Sequence, residues 1–178
     1  FTADVSGLTA GTGYSFRAYA TSSAGTSYSE VWTFTTEAAV THTNQELWRF
    51  ANFGSYDSVS TAADDADPDG DGLNNLLEYA QNGNPTNASN CGTLPTGTMA
   101  EDEEGTRWFE FVHVERASNN PGLTYRLEKS TDLTNGSFAI CADAVFVAET
   151  VAGEYKTVTH RIPTDGKTKE FIRVKVDY

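Results

Sequence analysis

Histidine, cysteine, methionine and basic side chains are all scarce in this chain of 178 residues. There are three histidines, two cysteines and one methionine, Met99. None of His42, His113 and His160 lies in an H-E-x-x-H pattern, and no serine lies in G-x-S-x-G, so two common hydrolase signatures are missing. Cys91 and Cys141 have no histidine or further cysteine at metal-ligand spacing, which argues against zinc. Lysine and arginine together number 12 against 25 acidic residues, a net charge of −13. Phosphate recognition needs a basic patch, so this balance disfavours nucleic acid and anionic membrane surfaces. No apolar run approaches the roughly 18 residues of a membrane-spanning helix. No signal peptide is visible and Phe1 is not a start residue, so the chain reads as a mature or cut piece of something longer. Apolar residues make up 38%, enough for real cores but not large ones.

What stands out is Asp67-Pro68-Asp69-Gly70-Asp71-Gly72-Leu73-Asn74-Asn75-Leu76-Leu77-Glu78. It matches the calcium-loop pattern D-x-[DN]-x-[DN]-G-x5-E at every specified position. Asp67, Asp69 and Asp71 take loop positions 1, 3 and 5, and Gly72 takes the sharp turn at position 6. Leu73 offers its carbonyl, Asn75 holds a ligand water, and Glu78 chelates with both oxygens. Calcium is a hard cation taking about six to eight oxygens, which this spacing supplies. A solvated acidic turn needs neither Glu78 nor the helical spacing of Leu73, Leu76, Leu77, Tyr79 and Ala80, which Gly83 and Pro85 bring to a stop. There is one loop and no methionine-rich helix pair, so a structural ion is expected rather than a sensor.

A Cys91–Cys141 disulfide is expected, with two free buried thiols as the alternative. Weak calcium loops work only where calcium is abundant. Both features point outside the cytoplasm.

Residues 1–37 read as strands. Phe1, Ala3 and Val5 alternate; Tyr14, Phe16, Ala18 and Ala20 share a face; Trp32 and Phe34 alternate with Val31, Thr33 and Thr35. Leu8-Thr9-Ala10-Gly11-Thr12-Gly13-Tyr14, Phe16-Arg17-Ala18-Tyr19-Ala20, Ala24-Gly25 and Phe34-Thr35-Thr36 resemble the last part of a fibronectin type III domain. Tyr14 stands at the tyrosine corner, whose hydroxyl bonds back to the main chain. A sandwich of that kind has about seven strands, so the rest lies upstream or another chain supplies it.

Residues 38–86 read as a connector. Thr43 and Glu46 form a capping box, and Leu47, Trp48, Phe50, Ala51 and Phe53 form an apolar stripe expected to pack on the helix from Asn74 to Gln81. Asp64 and Asp65 are expected to be solvated. Residues 87–178 read as a second β unit of about five or six strands: residues 108–116, 123–128, 145–149, 155–162 and 172–178. Asn120-Pro121-Gly122, Asn135-Gly136, Ala152-Gly153 and Asp165-Gly166 mark turns, and residues 101–104 a solvated charged loop.

Trp48, Phe53-Gly54, Asp67 to Tyr79, Gly83-Asn84-Pro85, Tyr125-Arg126-Leu127-Glu128-Lys129-Ser130-Thr131-Asp132-Leu133 and the closing Phe171 to Val176 resemble a C-terminal region of large secreted proteins of the Planctomycetes–Verrucomicrobia type. The loop is also similar to single calcium loops of dockerins and thrombospondin type 3 repeats. The resemblance implies a non-catalytic surface or anchoring role.

The expected fold is therefore mainly β: a partial fibronectin III-like sandwich and a C-terminal β-sandwich, joined by a short helical, EF-hand-like calcium segment. The expected function is an extracellular structural or adhesive module with a calcium-rigidified joint. Copies of itself or other surface proteins are its expected partners, through strand addition. The alternative is a carbohydrate-binding or anchoring module of a secreted hydrolase, with Tyr19 and Tyr28, or Trp108 with Tyr155, as candidate aromatics.

Overall fold

The computed structural model describes residues 2–117, 122–134 and 136–178. The chain is mainly β and divides into two compact units, Phe1–Thr41 and His42–Tyr178.

The first unit holds four short strands, β1 (Gly13–Phe16), β2 (Tyr19–Ser22), β3 (Gly25–Tyr28) and β4 (Trp32–Thr35). β1 pairs antiparallel with β4, setting Tyr14 opposite Phe34 and Phe16 opposite Trp32. β2 pairs with β3, setting Tyr19 opposite Tyr28. The Tyr14 hydroxyl accepts the Thr9 N–H at 2.8 Å, the backward bond expected of it. The Thr36 hydroxyl stitches the same turn, accepting from Thr12 N–H at 2.9 Å and donating to the Thr9 carbonyl at 2.6 Å. The strand expected over residues 2–5 does not form, and Phe1 lies outside the described residues. None of the unit's described residues is buried. Phe16 and Trp32 are 58% and 63% exposed, on a groove of about 730 Å³ shared with Val5, Leu8, Tyr14 and Phe34.

The second unit opens with α1 (Asn44–Phe53), capped by Thr43 and Glu46 as expected and ended by Gly54 at φ 70°. Its buried residues are not the apolar stripe but Gln45 and Arg49. Both reach Asp64, whose Oδ1 accepts from Arg49 Nη2 at 2.6 Å and Gln45 Nε2 at 3.0 Å. Asp64 is thus an anchor rather than a solvated residue. Trp48 still packs on Tyr79, ring centroids 5.4 Å apart, and on Phe53 at 6.2 Å. Phe50 turns away and stacks on Tyr56 at 4.4 Å, which stacks on His42 at 3.6 Å. A 3-10 turn at Ser60–Ala62 precedes α2 (Asn75–Gln81).

Among the described residues seven strands follow: β5 (Thr96–Glu101), β6 (Arg107–Arg116), β7 (Thr124–Ser130), β8 (Ala139–Ile140), β9 (Val145–Ala152), β10 (Tyr155–Pro163) and β11 (Phe171–Asp177). They form one sheet in the order β5-β6-β10-β9 and another in the order β11-β7-β8. Phe111 and Ile162 of the first and Leu127, Ile172 and Val174 of the second share one hydrophobic cluster with Cys141. β5 was not expected, because only Met99 marks it as apolar. It pairs with β6, where the Phe109 ring lies over Gly97: a Cβ there would sit 2.1 Å from the ring. The charged run 101–104 ends β5 in an ordered turn, where Asp102 accepts from Thr106 N–H at 2.8 Å and Trp108 Nε1 at 3.0 Å. Turns at Gly153 and Asp165-Gly166 stand where expected, while Asn120, Pro121 and Asn135 lie outside the described residues.

The expected disulfide is absent: Cys91 and Cys141 are both free. They occupy different environments. Cys141 is buried in the shared cluster, its thiol directed to Asp143 at 3.4 Å and pushed up to about 11 mainly by burial. Cys91 instead faces the carboxylate of Asp71.

Candidate metal centre

Residues 67–78 fold around their own side chains. Asp67 accepts Gly70 N–H at 2.9 Å through Oδ1 and Gly72 N–H at 3.0 Å through Oδ2. Asp69 Oδ1 accepts Asp71 N–H at 3.3 Å, and Asp71 Oδ1 accepts Leu73 N–H at 2.8 Å. Gly70 and Gly72 stand at φ 77° and 94°, a conformation that side chains resist. The outcome is that one oxygen of Asp69 and one of Asp71 hold the backbone, leaving the second of each free. Ligand oxygens of Asp67, Asp69 and Asp71 lie within 4.8 Å of one another.

α2 brings a further carboxylate, Glu78, near enough to feel the charges of this triplet, while the group within 4.8 Å is the three aspartates. Asn74 caps the helix by accepting Leu77 N–H at 3.0 Å, which puts Glu78 in the first turn. Glu78 is 0% exposed, and neither of its carboxylate oxygens has a hydrogen-bond partner. Asp69 Oδ2 and Asp71 Oδ2 are likewise buried without a partner. Burial, and then the charges of Asp69, Asp71 and Asp67, push the Glu78 carboxyl up to about 7. Leaving ionised oxygens buried and unbonded is costly. A hard divalent cation among these four carboxylates removes both the repulsion and the missing bonds. The residues present therefore fit a hard divalent cation.

Asn75 is placed differently from a simple ligand. It is fully buried, and its Nδ2 donates to the carbonyls of Thr61 at 2.8 Å and Ala63 at 2.6 Å. Only Oδ1, buried and without a partner, remains for a water or an ion. Asn75 N–H donates to Ala66 O at 2.8 Å and Leu76 N–H to Asp64 O at 3.0 Å, so the approach segment is laced to the start of α2. Leu73 is half-buried and gives its N–H to Asp71.

The far end of α2 is held by residues that the sequence did not single out. The last carbonyls of a helix lack partners within it. Here Tyr79 O accepts from Arg116 Nε at 2.8 Å and Tyr155 Oη at 3.2 Å, and Ala80 O accepts from Tyr125 Oη at 3.1 Å. The Arg116 guanidinium lies 3.7 Å from the Tyr79 ring centroid and 4.7 Å from that of Tyr155. Residues 38–86, set apart in sequence as a connector, thus include a helix bonded directly to β6, β7 and β10.

The remaining candidates fall into place. Tyr155 serves helix docking and Trp108 serves the Asp102 turn. Tyr19 and Tyr28 are 72% and 56% exposed, their rings 6.1 Å apart, with Arg17 3.8 Å over Tyr28. His113 and His160 stack at 5.5 Å inside the sheet, His113 Nε2 lying 3.0 Å from Glu115. No protein-family model matches the chain, and no curated protein or solved structure matches it either.

Proposed function

We propose that this chain is a non-catalytic extracellular structural or adhesive module, part of a larger surface or fibre-forming protein, stiffened by one bound calcium ion. One observation carries the metal assignment: the fully buried Glu78, with two unpartnered oxygens, faces Asp67, Asp69 and Asp71. Asp67, Asp69, Asp71 and Glu78 hold the ion directly, with the Leu73 carbonyl at position 7 and Asn75 acting through a water. The ion offsets much of the loop's mutual repulsion and fixes the start of α2, stiffening the segment that follows the first β unit in the chain. The finer fold assignment is an EF-hand-like loop beside a β-sandwich formed by the two sheets of the second unit, preceded by part of a fibronectin III-like sandwich. With the disulfide gone, the extracellular assignment rests on calcium abundance and on the resemblance to secreted proteins. The unburied aromatics of β1 and β4 support association by strand addition, with copies of the chain or other surface proteins.

The test is a thermal melt with and without calcium, with scattering recorded alongside. Ligand at about 100 times its dissociation constant stabilises by about 2.7 kcal/mol. For a chain of this size that raises the melting point by about 5–10 °C. Asp71→Ala abolishes most of this shift. Identical melts of parent and Asp71→Ala in millimolar calcium reject the assignment.

The exposed Tyr19–Tyr28 pair favours a second reading, carbohydrate binding on the face of β2 and β3. Glycan-array binding lost in Tyr28→Ala supports it; an array with no signal rejects it.

A further inference from the structure

Residues 82–93 leave α2 and come back onto it. Asn82 closes the helix in the left-handed conformation, φ 65°. Asn84, Asn87 and Asn90 then make successive turns: Asn87 N–H donates to Asn84 O at 3.0 Å and Asn90 N–H to Asn87 O at 2.8 Å. Their side chains reinforce the coil, with Asn84 Oδ1 accepting from Thr86 N–H at 3.1 Å and Asn90 Oδ1 from Gly92 N–H at 3.3 Å. Asn84 N–H donates to Asn90 O at 3.0 Å and Thr93 N–H to Gln81 O at 2.8 Å, which closes the segment on the last turn of α2. Pro85 is fully buried within it.

Two glycines permit this closure. A Cβ on Gly83 would lie 3.0 Å from Glu78 Oε1 and 3.1 Å from Glu78 Cβ, so the bare backbone of Gly83 is a wall of the Glu78 site. A Cβ on Gly92 would lie 2.3 Å from Gln81 O and 2.6 Å from Gly83 N. Gly92 therefore presses Gly83 into place, backbone on backbone. The neighbouring Cys91 faces Asp71 from the same segment.

We propose that residues 82–93 are a strap over the metal centre, with Gly83 and Gly92 as positioning residues that seal Glu78 from water. This rests on the metal assignment above and names the part of the chain that sets its affinity. Sealed from solvent, both Glu78 oxygens are left to the ion instead of being shared with water. Opening the strap hydrates Glu78 and weakens that chelation.

The test uses the full chain, calcium as the probe, and three variants. Gly83→Ala crowds Glu78 at an unstrained backbone position. Gly92→Ala forces the two backbones apart. Gly105→Ala is the control: it carries comparable strain at φ 82° but meets nothing within 4 Å. Titration calorimetry gives the affinity, and amide hydrogen exchange of residues 82–93 reports closure. Calcium affinity is expected to fall at least tenfold in Gly83→Ala and Gly92→Ala and to stay within twofold in Gly105→Ala. Calcium slows exchange at Gly83, Asn84 and Thr93 in the parent, and Gly92→Ala loses that protection. The variants' melting points drop further in calcium than in chelator, which a general packing defect would not produce. Parent-like affinity in both strap variants, or an equal fall in the control, overturns the strap while the metal site stands. Failure of the unsubstituted chain to bind calcium overturns the metal assignment, and the strap with it.

Discussion

Replacing Arg116 by methionine tests whether the C-terminal end of α2 is held as the geometry indicates. Methionine keeps most of the buried stem and removes the charge, so the change is chemical more than volumetric. Arg116 is 8% exposed, and its Nε–H to Tyr79 O bond is 2.8 Å long. A charged donor on such a carbonyl contributes about 1.5–3 kcal/mol. The sandwich of guanidinium between the Tyr79 and Tyr155 rings adds about 1–2 kcal/mol. The ion pair with Glu154 adds little, since that carboxylate is 76% exposed. Tyr155 Oη still donates to Tyr79 O at 3.2 Å, so the carbonyl is not orphaned. The net loss is about 3 kcal/mol. Tyr125→Phe removes the donor to Ala80 O and the acceptor of Arg116 N–H, for about 1–2 kcal/mol. Urea unfolding in calcium, followed by tryptophan fluorescence, measures both, because Trp48 lies 5.4 Å from Tyr79. Losses under about 0.5 kcal/mol in both variants refute the docking argument, since surface substitutions already reach that size.

Asp64→Ala strips the half-buried partner from Arg49, which is 6% exposed and keeps the longer bond to Tyr56 O. A loss of about 2 kcal/mol is expected by denaturant titration, and a change near zero means the pair is ornamental. Acid exposes His160. Burial and His113 hold its pKa below the usual histidine value, with Glu115 opposing. The folded chain therefore favours neutral His160, a contribution complete above pH about 6.5 and lost as pH falls below it. In His160→Gln the drop in stability between pH 7 and 5 should shrink, with His113, Glu115 and Lys156 unchanged; an identical pH profile counts against it. Thiol titration of the unfolded, unreduced chain should count Cys91 and Cys141 as two free thiols, and a count near zero would restore the disulfide.

Local chemistry was legible in the sequence and long-range pairing was not. The cap at Thr43 and Glu46, the ends of α2, and the alternating strands β6, β7, β10 and β11 stand where periodicity and capping placed them. β5 escaped because Thr96–Glu101 has no strong apolar alternation; its pairing depends on Phe109 lying over Gly97. The α1 stripe misled because Asp64, 15 residues from Arg49, draws the polar face inward, leaving Phe50 to stack on Tyr56. The Asp67–Asp71 spacing pointed to the three aspartates whose oxygens lie within 4.8 Å of one another. Nothing local revealed that Arg116, Tyr125 and Tyr155 receive α2, since those partners are 37, 45 and 76 residues apart. The disulfide expectation failed for the same reason: counting cysteines says nothing of where the fold puts them.

The two ends of α2 depend on each other. A helix of seven residues has no independent stability in water, so its ends must be held from outside. Asn74 and the acidic loop hold one end, and Arg116, Tyr125 and Tyr155 hold the other. Glu78 links the two, because its side chain lies by the aspartates and the next residue's carbonyl, Tyr79 O, accepts from Arg116 and Tyr155. On the proposed function, calcium held by Glu78 would therefore also fix the carbonyls that β6, β7 and β10 receive. By linkage, whatever calcium adds to this docking, the docking adds to calcium affinity. Arg116→Met, which touches no metal ligand, must then weaken calcium binding by the same factor by which calcium loses its grip on the sheet.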